Sequence, residues 1–276
     1  MAEKKKNIKE CEKLMKNLEK KEYFSAALIT YKDKLNQLVK KIKVDNTGIS
    51  DTDAEAKAYS DIFSYLSEIM RNAESCVESV ISAKVASKVI TNADQARKSA
   101  AGNIFQQLFA YTLAQNVVIG NITANVIVSM SANKILDEYA TIQVGDDTQK
   151  PDSDVIVYCA ESESTPILNY SCKTSCRERA GQTYKWKLLS DLATCSCEHK
   201  EGNENCPVTV YGLKYSPKRK VYMCFVTADF YDEIAQPQIA AMFNFFDKSY
   251  VAKPTSSVST IKSLSNVVDD INSYIS

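Results

Sequence analysis

An α/β (α+β) fold, with a helical region over residues 1–90 and a mixed domain over residues 91–276, is what the residue pattern predicts. Three observations carry this. Apolar residues recur at helical spacing over most of the first ninety residues. Beyond Gly145 the period shortens to that of strands, in runs rich in β-branched residues. Helical periodicity then returns between those runs, as mixed folds require.

From Asn7 to about Lys43, Leu14, Leu18, Ala26, Leu28 and Leu35 lie near helical spacing among Lys and Glu, which predicts a long, charged, amphipathic helix. "DNTGISDTDAEAKAY" breaks it with turn chemistry and offers Ser50 or Asp51 as a helix cap. Ile62, Tyr65, Leu66 and Ile69 then fall on one helical face. Ile104, Phe105, Leu108, Phe109 and Thr112 give an apolar face to a helix beginning near Ser99. "DVIVYCA", the polar turn "ESEST" and "PILNYSCK" predict a β-hairpin. In "QTYKWKLLSDLA", Tyr184, Leu188 and Leu192 are spaced for burial on a helix, and "KVYMCFVTADF" predicts a buried strand. "FNFFDKSYVA" suggests another strand, and "SLSNVVDDINSYI" a closing helix.

Composition narrows the function classes. Lys plus Arg and Asp plus Glu number 34 each, so a nucleic-acid partner has to be met by a local basic patch. Met1 to Lys21 carries no apolar core of the signal-peptide kind, and "NVVIGNITANVIVSMSA", interrupted by Asn121 and Asn125, falls short of the roughly 18 apolar residues of a membrane span. The expectation is a cytoplasmic protein whose nine cysteines are buried thiols or metal ligands in preference to disulfides.

The local patch is "NYSCKTSCRERAGQTYKWK". Asp154 opens the first hairpin strand, and alternation puts Ser171 and Lys173 on one face of the second, with Cys172 pointing away. An aspartate and a lysine on adjacent strand ends suit metal-assisted phosphodiester hydrolysis. The carboxylate holds Mg²⁺, the ammonium positions water and offsets phosphorane charge, and the Cys172 carbonyl offers a further hard oxygen. Asp152 competes with Asp154 for the leading role.

"PDSD", the hairpin, "SCK" and the following "TSCRER" together resemble the PD-(D/E)XK nuclease superfamily, and most closely its type II restriction endonucleases. The resemblance runs from about Arg97 to Ala252, and "RKSAAGNIFQQL" is similar to the helix that precedes the core in those enzymes. It implies a central mixed β-sheet flanked by helices, Mg²⁺-dependent cleavage of double-stranded DNA, a homodimer on a short palindrome and a cognate DNA methyltransferase. Ser171 stands where the family pattern has an acid, and Gln106 where a glutamate often lies on the upstream helix. Some restriction enzymes with Ser or Thr at the first position draw the second carboxylate from the next helix, which makes Glu178 the first candidate and Asp191 the second. The resemblance also assigns Arg177, Arg179 and Gln182 to DNA, since arginine grips phosphate or reads guanine and glutamine reads adenine. Lys185 is read as facing solvent or a DNA phosphate, beside a Tyr184 belonging to the core. A repair or recombination nuclease on the same core is the rival enzyme reading. The rival from outside enzymes is a zinc-stabilised DNA-binding protein in which Ser171 marks a lost site.

A separate cluster lies in "CSCEHKEGNENC". Cys195, Cys197, His199 and Cys206 are candidate ligands for a structural Zn²⁺, and His199 is the sole histidine of the chain.

Overall fold

The computed structural model describes residues 2–130, 134–194, 206–215 and 219–275, with the backbone alone at residues 2, 177–180 and 182. The N-terminal helices are α1 (Ala2–Glu19), α2 (Glu22–Asp45), α3 (Asp51–Asp61), α4 (Leu66–Asn72) and α5 (Glu74–Ala86). The single long helix expected over Asn7–Lys43 is therefore two. Lys21 takes extended backbone angles (φ −80°, ψ 122°), and its N–H closes the turn on the Leu18 carbonyl at 2.9 Å. The break lets Leu18 and Phe24 both reach the core, which a straight rod of that length, roughly 55 Å, would overrun. Ser50 caps α3 by accepting from the Asp53 N–H at 3.0 Å. The Ile62–Tyr65 segment is a 3₁₀ turn leading into α4, where one continuous helical face was expected.

Helix α6 (Ala93–Ile119) is the pillar of the molecule. It starts at Ala93, upstream of the expected Ser99, because Asn92 accepts from the Gln95 N–H. It ends at Gly120, whose φ of 92° is the left-handed conformation glycine adopts without penalty. Ile104, Phe105, Leu108, Phe109 and Leu113 are all buried along it. The Phe109 ring meets Phe63 at 6.0 Å on the helical side and Tyr170 at 5.1 Å on the sheet side, both edge-on. One apolar cluster therefore runs from the N-terminal helices through α6 into the sheet.

The rest of the chain is β1 (Val126–Met130), α7 (Lys134–Tyr139), β2 (Ile142–Val144), β3 (Asp147–Gln149), β4 (Val155–Cys159), β5 (Ile167–Lys173), α8 (Arg177–Ala193), α9 (Pro207–Val210), β6 (Leu213–Lys214), β7 (Val221–Thr227), α10 (Pro237–Met242), β8 (Lys248–Val251), β9 (Lys262–Ser263) and α11 (Val267–Ile275). The main sheet has six strands in the order β1-β4-β5-β7-β8-β9, and β3-β2-β6 form a small second sheet. β1, β4 and β5 pair antiparallel while β5, β7, β8 and β9 pair parallel, so the sheet is mixed. The expected hairpin is β4–β5, and the apolar run of 221–227 is a central strand buried from both faces. "FNFFDKSYVA" divides into a 3₁₀ turn at Phe243–Phe245 and the strand β8. Edge strand β1 is covered by α1, with Asn7 Nδ2 donating to the Ala124 carbonyl at 3.1 Å, which blunts the edge against stray pairing. No described helix is long and apolar enough to cross a membrane.

Candidate active site

Residues alternate across β5. Leu168, Tyr170 and Cys172 enter the α6 core, whereas Ile167, Asn169, Ser171 and Lys173 face the side covered by α8. Val155 pairs with Tyr170, so Asp154 stands across from Ser171 at the start of β4, with its N–H donating to the Tyr170 carbonyl at 3.1 Å. Its carboxylate turns toward the end of β5. Lys173 Nζ donates to Asp154 Oδ2 at 2.9 Å and the Cys172 N–H donates to the same oxygen at 2.7 Å. Both side chains are mostly shielded, at 11% exposure for Lys173 and 15% for Asp154.

Two details follow from that geometry. Among the described residues both bonds to the Asp154 carboxylate fall on Oδ2. Peptide directions repeat every second residue along a strand, and the Tyr170 carbonyl faces β4, so the Cys172 carbonyl faces that side as well. The Cys172 thiol lies in the core, and burial pushes its pKa well above the ordinary thiol value.

The other sequence candidates fall as follows. Ser171 is sealed under α8, its hydroxyl 3.1 Å from Thr183 Oγ1. The Asp152 side chain is exposed, and its carbonyl accepts from Asn169 Nδ2 at 3.2 Å. Asp191 pairs with Lys187 at 2.5 Å, and Lys187 also reaches Asp247 at 3.6 Å. The Asp247 carboxylate accepts from the Met223 N–H, at the level of Asn169, four residues or roughly 13 Å down the strand from Lys173. Gln106 is half-buried on α6. Arg177, Glu178, Arg179 and Gln182 form the first turns of α8, and their side chains lie outside the description. Lys185 is exposed, with its ammonium 5.4 Å from the centre of the Trp186 ring. Tyr184, read as core, is half-buried and stacks on Phe245 at 5.5 Å. Leu188, expected to be buried, is 40% exposed. The buried side of α8 passes through Thr183 and Ala193, and at 100° per residue Leu188 lies opposite it.

Of the candidate zinc ligands, Cys195, Cys197 and His199 lie outside the described residues. Cys206 is buried against Ile142, Ala193, Val208 and Leu213. Among the described residues no three His, Cys, Asp or Glu side chains converge as a metal would need.

Residue-by-residue reading missed a second polar cluster at the same end of the sheet. Asp229 and Glu233, each 1% exposed, follow β7, and Lys253 follows β8. Lys253 Nζ donates to Asp229 Oδ2 at 2.7 Å. The available signal was the acid-rich turn "TADFYDE" directly after a buried strand.

A protein-family model described as BsaWI restriction endonuclease type 2 matches residues 130–275. No individual curated protein matches the chain. The match begins at the last residue of β1, contains Asp154, Lys173 and the whole of α8, and runs to the end of α11. Since it takes in more than half of the chain, the protein belongs to the BsaWI family of type 2 restriction endonucleases.

Proposed function

We propose that the protein hydrolyses phosphodiester bonds of double-stranded DNA at a short specific site, in a Mg²⁺-dependent reaction centred on Asp154 and Lys173. The observation that carries this reading is the Asp154–Lys173 contact at 2.9 Å, on adjacent strand ends inside the family match. The donor set fits a hard cation, since the Asp154 carboxylate and the Cys172 carbonyl both offer oxygen, and that carbonyl faces the β4 side. Glu178, at the start of α8, would complete it in place of the acid absent at Ser171. Bound there, Mg²⁺ supplies Lewis-acid stabilisation of the charge that builds on the phosphate oxygens.

The chain's own groups do the rest. Asp154 is held by two donors on one oxygen, so its carboxylate is fixed before DNA arrives. Lys173 orients the attacking water and offsets negative charge on the phosphorane-like transition state. Arg177, Arg179, Gln182 and Lys185, on the helix that starts beside the site, contact DNA. The protein acts as a homodimer in the cytoplasm, beside a cognate methyltransferase that protects host DNA, and a structural Zn²⁺ on Cys195, Cys197, His199 and Cys206 braces the segment after α8.

Incubation of purified protein with unmethylated plasmid and phage DNA in Mg²⁺ tests the reading. Discrete, reproducible fragments are expected. Degradation from ends would favour a repair or recombination nuclease, and binding without cutting a non-catalytic DNA-binding protein.

A further inference from the structure

We infer that Glu233, supported by Asp229, is a positioning residue that fixes the start of α8 on the active-site end of the sheet, and so sets how sharply the protein discriminates its DNA site. The inference rests on the reading that the first turns of α8 contact DNA.

The first N–H groups of a helix lack partners within it and need acceptors from elsewhere. Cys176, at the N-cap of α8, offers no capping side chain. Its thiol is buried, donating to Thr227 Oγ1 at 3.4 Å, and burial raises its pKa to about 12. The acceptor comes from the turn after β7, as the Cys176 N–H donates to Glu233 Oε2 at 3.0 Å. A buried carboxylate is therefore aimed at a helix N-terminus, where the aligned peptide dipoles favour negative charge.

Glu233 is itself held. Asp229 Oδ1 accepts from the N–H groups of Glu233 at 2.7 Å and Ile234 at 3.3 Å, while Oδ2 takes Lys253. Asp229 has a φ of 49°, a left-handed conformation that non-glycine residues keep only where the surroundings hold it. Its own N–H donates to Thr227 Oγ1 at 3.0 Å. The same turn grips the end of β5, through the Ala228 N–H on the Lys173 carbonyl at 3.0 Å and the Phe230 N–H on the Thr174 carbonyl at 3.1 Å. One turn thus holds both the strand end that carries Lys173 and the N-cap residue of α8. A small tilt of that helix would move every side chain on its first turns relative to the base edges, where hydrogen-bond readout depends on geometry.

Three substitutions separate reach from charge. Glu233→Ala loses both, Glu233→Asp keeps the charge but falls one methylene short of Cys176, and Glu233→Gln keeps an oxygen within reach without the charge. Two readouts are taken on full-length protein: amide hydrogen exchange across α8 and α6, and the ratio of kcat/KM on the site mapped from wild-type digestion to that on the same duplex with one base pair changed. In Ala and Asp, exchange at Cys176 and the first turn of α8 should rise at least tenfold with α6 unchanged, and the discrimination ratio should fall at least fivefold. Gln should stay within about twofold of wild type on both. Wild-type exchange in a folded Glu233→Asp, an unchanged ratio, or exchange rising uniformly in α6 and α8 would each overturn the inference. Should Glu233→Ala fail to fold, the Asp and Gln pair decides. Should wild-type protein cut no DNA, the nuclease reading fails by itself, and the exchange comparison still decides whether Glu233 fixes α8.

Discussion

The hydroxyls of Ser171 and Thr183 meet at 3.1 Å beneath α8, on the strand face that also carries Lys173. At 2% exposure Ser171 occupies a site where an ionised side chain would be stripped of water under a helix. The serine at this position is therefore matched to the helix above it. Ser171→Glu should fail to create a metal ligand and should lower stability by several kcal/mol, the penalty for a buried charge without a dedicated partner. Chemical denaturation against wild type measures this, and a stable, more active Ser171→Glu would contradict it.

Ser171→Ala removes one buried hydrogen bond, worth about 1 kcal/mol, and should leave Mg²⁺-dependent cleavage within a few-fold of wild type. Glu178→Gln should cripple it, because a neutral amide is a poor ligand for a hard cation. Single-turnover cleavage rates of the two variants make the comparison. Near-normal cutting by Glu178→Gln together with an inactive Asp191→Asn would move the role to Asp191, despite that residue's pairing with Lys187.

Lys173→Ala and Asp154→Asn should each lose on the order of 10²-fold or more in cleavage rate while retaining DNA binding, since the first removes the ammonium that offsets charge in the transition state and the second the carboxylate that would hold the hard cation. Cleavage should require Mg²⁺ or Mn²⁺ and fail with Ca²⁺ or chelator. Gel shifts with Ca²⁺ and rate measurements with Mg²⁺ separate binding from chemistry. Full activity in Lys173→Ala would end the assignment.

Phe109→Ala should cost about 3–5 kcal/mol and lower the melting temperature, because the ring is fully buried between Phe63 and Tyr170 and its loss opens a cavity across the contact between the N-terminal helices and the sheet. A loss under 1 kcal/mol by urea titration would show that the two sides do not depend on this contact.

Protein prepared without added metal should carry about one Zn²⁺ per chain, and removing it should lower the melting temperature, since a ligand bound only to the native state adds to its stability. Elemental analysis decides. No zinc, with unchanged melting in Cys197→Ser and His199→Ala, would leave residues 195–206 as a polar connection.

Much of this protein was legible in the sequence because the signals were local. The β-rich runs 154–160 and 166–173, parted by a polar turn, contain the hairpin, and the side-chain geometry of a strand puts Ser171 and Lys173 on one face while Cys172 points into the core. Ser50 marks a helix start by its own chemistry. Tertiary structure decided what depends on which surface meets which. The break at Lys20–Lys21 follows from the size of the core to be covered. The exposure of Leu188 follows from the face of α8 that meets β5, which helical spacing by itself does not choose. The Asp229–Glu233–Cys176 connection joins the end of β7 to the start of α8 across more than 50 positions, and no periodicity reports a contact of that separation. Periodicity records how each segment partitions between water and the interior, whereas the pairing of buried polar groups is set only when the parallel strands bring distant chain ends to one edge of the sheet.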